Sequence, residues 1–133
     1  MSELMRVLLV DDEQMFVESL KKVLRRRGME VESVDNGSDA LKLLEEGSYD
    51  VMVLDLRMPG MDGIETLKAI REKDTVVPVI MLTGHIDMKQ VSEALKYCVA
   101  EILLKPCPVE TLVSCIENAF ERKCCVLDLE DKF

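Results

Sequence analysis

Asp11 and Asp12 follow directly on the apolar run Val7–Val10, and Asp55 follows a second run, Val51–Leu54. Thr83 ends a third run and Lys105 a fourth. Three carboxylates, a hydroxyl and an ammonium thus stand at the ends of short apolar segments. Brought to one place, the carboxylates would repel one another. A hard, oxygen-seeking cation offsets such charge, and Mg2+ takes carboxylates, carbonyls and waters. Asp11 and Asp12 are adjacent on a bend, so one can ligate directly and the other through water. Asp55 is then the central carboxylate and a potential nucleophile. Lys105 adds a charge able to balance a phosphoryl oxygen, and Thr83 adds a neutral donor. The set has the chemistry of an acceptor site for a phosphoryl group.

The intervening pattern supplies elements that could position these residues. Met5–Val10 reads as a strand. Residues 14–27 carry Phe16, Leu20, Val23 and Leu24 at helical spacing, and Gly28 is placed to stop that helix. Residues 30–34 alternate polar and apolar, as an edge or half-exposed strand does. Asn36-Gly37 marks a turn before a helix over 38–46, with Ala40, Leu41 and Leu44 inward and Gly47 at its end. Residues 50–54 form a buried strand. After a loop, Asp62 and Glu65 have capping-box spacing ahead of a helix over 63–72 with Ile64, Leu67 and Ile70 inward.

Residues 77–82 form a fourth strand with Pro78 near its start, where a missing donor is tolerated. A helix over 86–97 runs through Val91, Ala94 and Leu95, and a fifth strand spans 100–104. Pro108 suits the first position of a last helix, which reaches about residue 123 through Leu112, Ile116, Ala119 and Phe120. Five strand–helix units with near-continuous apolar strands imply a parallel sheet covered on both faces. They are too few for an eight-stranded barrel, which leaves an open, doubly wound α/β sheet. Such sheets bind ligands outside the carboxyl ends of their strands, and the chemical set lies at those ends.

The chain has 133 residues, one domain's worth, and 48% hydrophobic with 32% charged residues exclude wholesale disorder. Seventeen Lys and Arg against 26 Asp and Glu give a net charge of −9, which argues against direct nucleic-acid binding. No segment is apolar over the length of a membrane span, and the short first run ends in acids, so a cytoplasmic protein without membrane contact is expected. Cysteines 98, 107, 115, 124 and 125 lack the spacing of a metal site, and His85 has no partner histidine, so reduced thiols are expected.

The motifs Val10-Asp11-Asp12-Glu13, Asp55-Leu56-Arg57-Met58-Pro59-Gly60-Met61-Asp62-Gly63, Thr83-Gly84-His85 and Lys105-Pro106 together resemble those of the receiver domain of a two-component response regulator. The resemblance runs from about Arg6 to Phe120. It implies a flavodoxin-like (βα)5 sheet of order 2-1-3-4-5, with the receiver over 1–125 and residues 126–133 as a tail or the start of a linker. It implies Asp55 as phosphoacceptor and Mg2+ held by Asp11, Asp12, Asp55 and the Arg57 backbone carbonyl. Thr83 and Lys105 would contact the phosphoryl group. A cis peptide at Lys105-Pro106 would aim the lysine inward. Gly60 and Gly63 would let the loop after Asp55 turn tightly beside metal and phosphate.

The phosphodonor would be a sensor histidine kinase or a phosphotransfer protein. The recipient of the signal would be an output protein or an attached output domain. The face made by helix 4, strand 5 and helix 5 would serve as partner or homodimer surface. The chain would catalyse its own phosphorylation and dephosphorylation without being a turnover enzyme. The alternative is a phosphorylation-independent interaction module on the same fold, weakened by the retention of all five site residues. An aspartyl phosphohydrolase is disfavoured because Arg57 stands where such enzymes carry a second carboxylate. Three positions depart from the family pattern: Ile102 replaces an aromatic that follows the threonine on activation, and Cys98-Val99 replaces a Gly-Ala pair. His85 and the Arg57 side chain are rim residues. Neutralising Asp11 and Asp12 together is expected to weaken Mg2+ binding and to relieve carboxylate repulsion.

Overall fold

The computed structural model describes residues 4–57, 62–73, 76–84 and 87–132. Strands and helices alternate strictly: β1 (Arg6–Val10), α1 (Gln14–Arg26), β2 (Glu30–Val34), α2 (Gly37–Glu46), β3 (Val51–Leu54), α3 (Gly63–Lys73), β4 (Val79–Thr83), α4 (Met88–Lys96), β5 (Glu101–Leu104) and α5 (Val109–Lys132). All strand pairings are parallel and the order is β2-β1-β3-β4-β5, the expected flavodoxin-like sheet.

Each central strand buries both faces, because successive side chains point to opposite sides of a sheet. Val7 and Leu9 pack with α1 and α5, through Leu20, Leu24, Leu112, Val113 and Ile116. Leu8 and Val10 pack on the other side, with Leu67 and Ile70 of α3 and Ala94 of α4. That is why these strands read as unbroken apolar runs, whereas the edge strand β2 alternates.

The local signals mostly act where expected. Gly28 takes a left-handed φ of 84° after α1. The Asp62 carboxylate accepts the Glu65 N–H at 2.9 Å at the start of α3. Asn36-Gly37 differs from the expected free turn. Asn36 is the N-cap of α2, its Oδ1 accepting the Asp39 N–H at 2.8 Å, so the helix begins one residue early at Gly37. Pro108 precedes α5, and its carbonyl accepts the Leu112 N–H at 3.2 Å. The backbone of α5 continues as helix to Lys132, past the expected end near residue 123. Pro78 also lies outside β4, where its carbonyl accepts the Met52 N–H at 2.9 Å.

Cys98 has φ 58°, in the left-handed region, where the family pattern carries glycine. Arg71 spans the same corner. Its guanidinium donates to the carbonyls of Tyr97, Val77 and Cys98, joining the end of α3 to the end of α4. Cys98, Cys107 and Cys115 are free thiols. No helix among the described residues is long and apolar enough to cross a membrane.

Candidate phosphoacceptor site

The sheet ladder continues one residue beyond several strands and so fixes the site. Asp11 N–H donates to Val34 O at 3.1 Å, Asp55 N–H to Val10 O at 2.9 Å, and Lys105 N–H to Thr83 O at 2.7 Å. These bonds carry Asp11, Asp55 and Lys105 to the same carboxyl edge of the sheet. The Lys105–Pro106 peptide is cis.

Carboxylate oxygens of Asp11, Asp12 and Asp55 lie within 4.8 Å of one another. Asp11 and Asp55 are buried, Asp55 at 5% exposure, while Asp12 is exposed. Asp55 Oδ1 accepts the Arg57 N–H at 3.2 Å, and Asp11 Oδ1 accepts the Glu13 N–H at 2.9 Å. Lys105 Nζ donates to Asp11 Oδ2 and to Glu13 Oε1, both at 2.7 Å, and stands 3.6 Å from Asp55 Oδ2. Thr83 is fully buried at the end of β4. Arg57 is an exposed rim residue. His85 and Gly60 lie outside the described residues.

The electrostatics follow from this crowding. Burial pushes the Asp55 carboxyl above its ordinary value; the Arg57 hydrogen bond opposes that, Asp11 and Asp12 add to it, and Lys105 counters it. Burial alone would lower the Lys105 ammonium. Hydrogen bonds to Asp11 and Glu13, with the charges of Asp11 and Asp55, outweigh it and raise the group above its usual range. A hard divalent cation suits the donor set: clustered carboxylate oxygens whose mutual repulsion a single lysine offsets only in part.

Sequence reasoning assigned no role to Glu13 beyond its place in the acidic motif, and it read Phe16 only as a core-stripe residue. Both surround Lys105: Glu13 as a hydrogen-bond partner and Phe16 as a ring whose centroid lies 4.8 Å from Nζ. Their spacing of three puts them on one side of the first turn of α1, which is the signal that was available. Gly63 has a sharper reason than a turn. A β-carbon there would lie 2.5 Å from Leu56 Cα and 2.6 Å from Asp55 O. Helix α3 therefore starts in backbone contact with the segment that carries Asp55.

Comparison with known proteins agrees with this arrangement. The family described as the response regulator receiver domain matches residues 7–117. The chemotaxis protein CheY of Pseudomonas aeruginosa is 36% identical over 121 residues, which cover 89% of this chain and 98% of CheY. The regulatory protein AtoC of Escherichia coli is 33% identical over 121 residues, covering 91% of this chain and 26% of AtoC. The chain thus spans about a quarter of the length of AtoC. Among solved structures, a response regulator receiver domain from Clostridium thermocellum superposes with a TM-score of 0.85 at 32% identity, covering 92% of this chain and 99% of that one. With its 2-1-3-4-5 sheet and its cluster of Asp11, Asp12 and Asp55 at the strand ends, the chain belongs to the response regulator receiver domain family, whose members are phosphorelay switches that modify themselves rather than turn over a substrate.

Proposed function

We propose that Asp55 accepts a phosphoryl group and that the phosphorylated domain signals by protein contact. The observation that carries this reading is the placement of Asp55. It is a buried carboxylate with a lysine 3.6 Å from one oxygen and two further carboxylates beside it. A carboxylate oxygen of Asp55 attacks phosphorus, the bond to the donor's leaving group breaks, and an acyl phosphate forms; water later cleaves it and restores the carboxylate. Asp11, Asp12 and Asp55, with the Arg57 backbone carbonyl, would hold Mg2+, which when bound neutralises charge on the carboxylates and phosphoryl oxygens. Lys105 balances a phosphoryl oxygen and the Thr83 hydroxyl donates to another. The Arg57 N–H steadies Asp55 from the start of the following loop.

The phosphodonor is a sensor histidine kinase or a phosphotransfer protein in the cytoplasm. The receiver unit comprises residues 1–125, with 126–133 leading toward a tail or linker. The output face is that of α4, β5 and α5. Leu95 there is 60% exposed, Met88 and Leu104 are also largely exposed, and α4 buries only Ala94 fully. Such a surface fits an output protein, an attached output domain or a second copy of the chain. Incubation with acetyl phosphate and Mg2+ should add one phosphoryl group by intact mass, and chelation or Asp55→Asn should abolish it. A fold that binds its partners equally well without the adduct would instead be a phosphorylation-independent module.

A further inference from the structure

Lys105 hydrogen-bonds a residue outside the five that define the site. An ammonium has three N–H bonds. Two of those of Lys105 go to Asp11 and Glu13, at 2.7 Å each, and the Phe16 ring lies against the same group. Asp55 Oδ2, at 3.6 Å, is beyond hydrogen-bond distance. The lysine side chain is only 12% exposed, and its two hydrogen bonds both go to the β1–α1 corner.

We propose that Glu13 is a positioning residue that holds the Lys105 ammonium toward Asp11, and that phosphorylation of Asp55 draws the ammonium off Glu13 onto a phosphoryl oxygen. This rests on Asp55 being the acceptor. The two existing partners of Lys105 differ in how readily they let go. Asp11 is buried, so water cannot readily take the place of the lysine there. The Glu13 side chain is 60% exposed, so water replaces the lysine at small cost. A new anionic oxygen beside Asp55 therefore competes with Glu13 rather than with Asp11. Glu13 thereby favours the unphosphorylated arrangement of the site without touching the acceptor.

The test uses the full chain with isotope-labelled lysine. Beryllofluoride, a stable mimic of the phosphoryl group, is titrated in the presence of Mg2+, and the Lys105 Nζ resonance is read in the metal-free and bound forms. Glu13→Gln removes the competing charge and should tighten beryllofluoride binding about two- to fivefold, the range an exposed ion pair commands. In the metal-free variant, the Nζ resonance should already be displaced toward its position in the bound wild type. Glu13→Asp keeps the charge but shortens the reach. The aspartate stands at the N-cap of α1, which has no side-chain cap bond, and turns to the free N–H groups there. It should therefore behave as Glu13→Gln does, which a role for net charge alone would not give. Wild-type affinity and an unmoved Nζ resonance in both variants would overturn the role of Glu13. Failure of the wild type to bind beryllofluoride, or equal binding by Asp55→Asn, would overturn the acceptor reading and the proposal with it.

Discussion

Replacing Gly63 with alanine puts a methyl group where backbone already stands. The new carbon would lie 2.5 Å from Leu56 Cα, 2.6 Å from Asp55 O and 3.0 Å from Leu56 O. Carbon atoms in contact sit near 3.5–4.0 Å, so roughly 1 Å of relief is needed. No flexible side-chain end is available to move. Either α3 shifts outward, pulling Thr66, Leu67 and Ile70 from full burial, or the Asp55–Leu56 peptide is pushed back. The second route is resisted by the bond from Gly63 N–H to Leu56 O at 2.9 Å and by the burial of Leu56.

Overpacking of this kind costs about 1–3 kcal/mol. The helix-propensity gain of alanine over glycine, about 1 kcal/mol in a helix interior, is only partly realised at the first residue of α3. A net loss of about 1–2 kcal/mol lowers Tm by roughly 3–10 °C in a domain of this size. The effect on chemistry should be larger. A displacement of about 1 Å at a reacting group can cost on the order of a hundredfold in rate. Thermal melts, with acetyl phosphate labelling well below both midpoints, separate the two effects. A Gly63→Ala variant that melts within about 1 °C of wild type and labels at the wild-type rate would refute this account of the glycine.

Asp11 and Asp12 should separate in their effects on stability, because only Asp11 is a buried partner of Lys105. Asp11→Asn removes a buried partner of Lys105 and should cost the metal-free fold about 2–3 kcal/mol, whereas exposed Asp12→Asn should stay within about 0.5 kcal/mol. Both should weaken Mg2+ binding by calorimetry, and equal stability of the two variants would contradict the ion-pair geometry. Cys98→Gly should raise stability by about 0.5–1 kcal/mol in urea denaturation, because glycine adopts φ 58° without strain; part of the gain is offset in the unfolded chain. Tyr49 is pushed from 10.0 up to about 12, by burial first and then by the Glu32 carboxylate. A raised folded-state value for an acid means that its stabilisation is fully present below pH 10 and lost as pH climbs from 10 toward 12. Tyr49→Phe has no phenol to ionise, so wild type should lose stability relative to it as pH climbs above 10, and a difference constant with pH would refute the assignment.

The fold was legible because each central strand is apolar on both faces, a signature of parallel sheets, and four of the five strands carry at their carboxyl ends a residue capable of chemistry. Long-range consequences were less legible. Arg71 reads as an ordinary charged residue in the last turn of α3, yet it gathers carbonyls from segments that meet only in the folded chain. Glu13 was visible as a neighbour of the acid pair, but its hold on Lys105 joins residues 92 positions apart. Leu95 belongs to the spacing pattern of Val91 and Ala94 in α4, yet it is exposed. Its spacing fits the helix, but periodicity does not tell a core-facing stripe from one kept for a partner. The departure from glycine at position 98 was noticed, but only the backbone reveals that Cys98 keeps the left-handed turn.

The central claim is that Asp55, among several clustered carboxylates, is the residue that becomes phosphorylated. Borohydride reduces an acyl phosphate to an alcohol, so a phosphorylated aspartate is recovered as homoserine. The full chain should be treated with acetyl phosphate and Mg2+, reduced, digested and sequenced by mass spectrometry. Homoserine is predicted at position 55 alone, absent when Mg2+ is chelated and absent in Asp55→Asn. Homoserine at position 11 or 12, or an Asp55→Asn protein labelled as fully as wild type, would contradict the account.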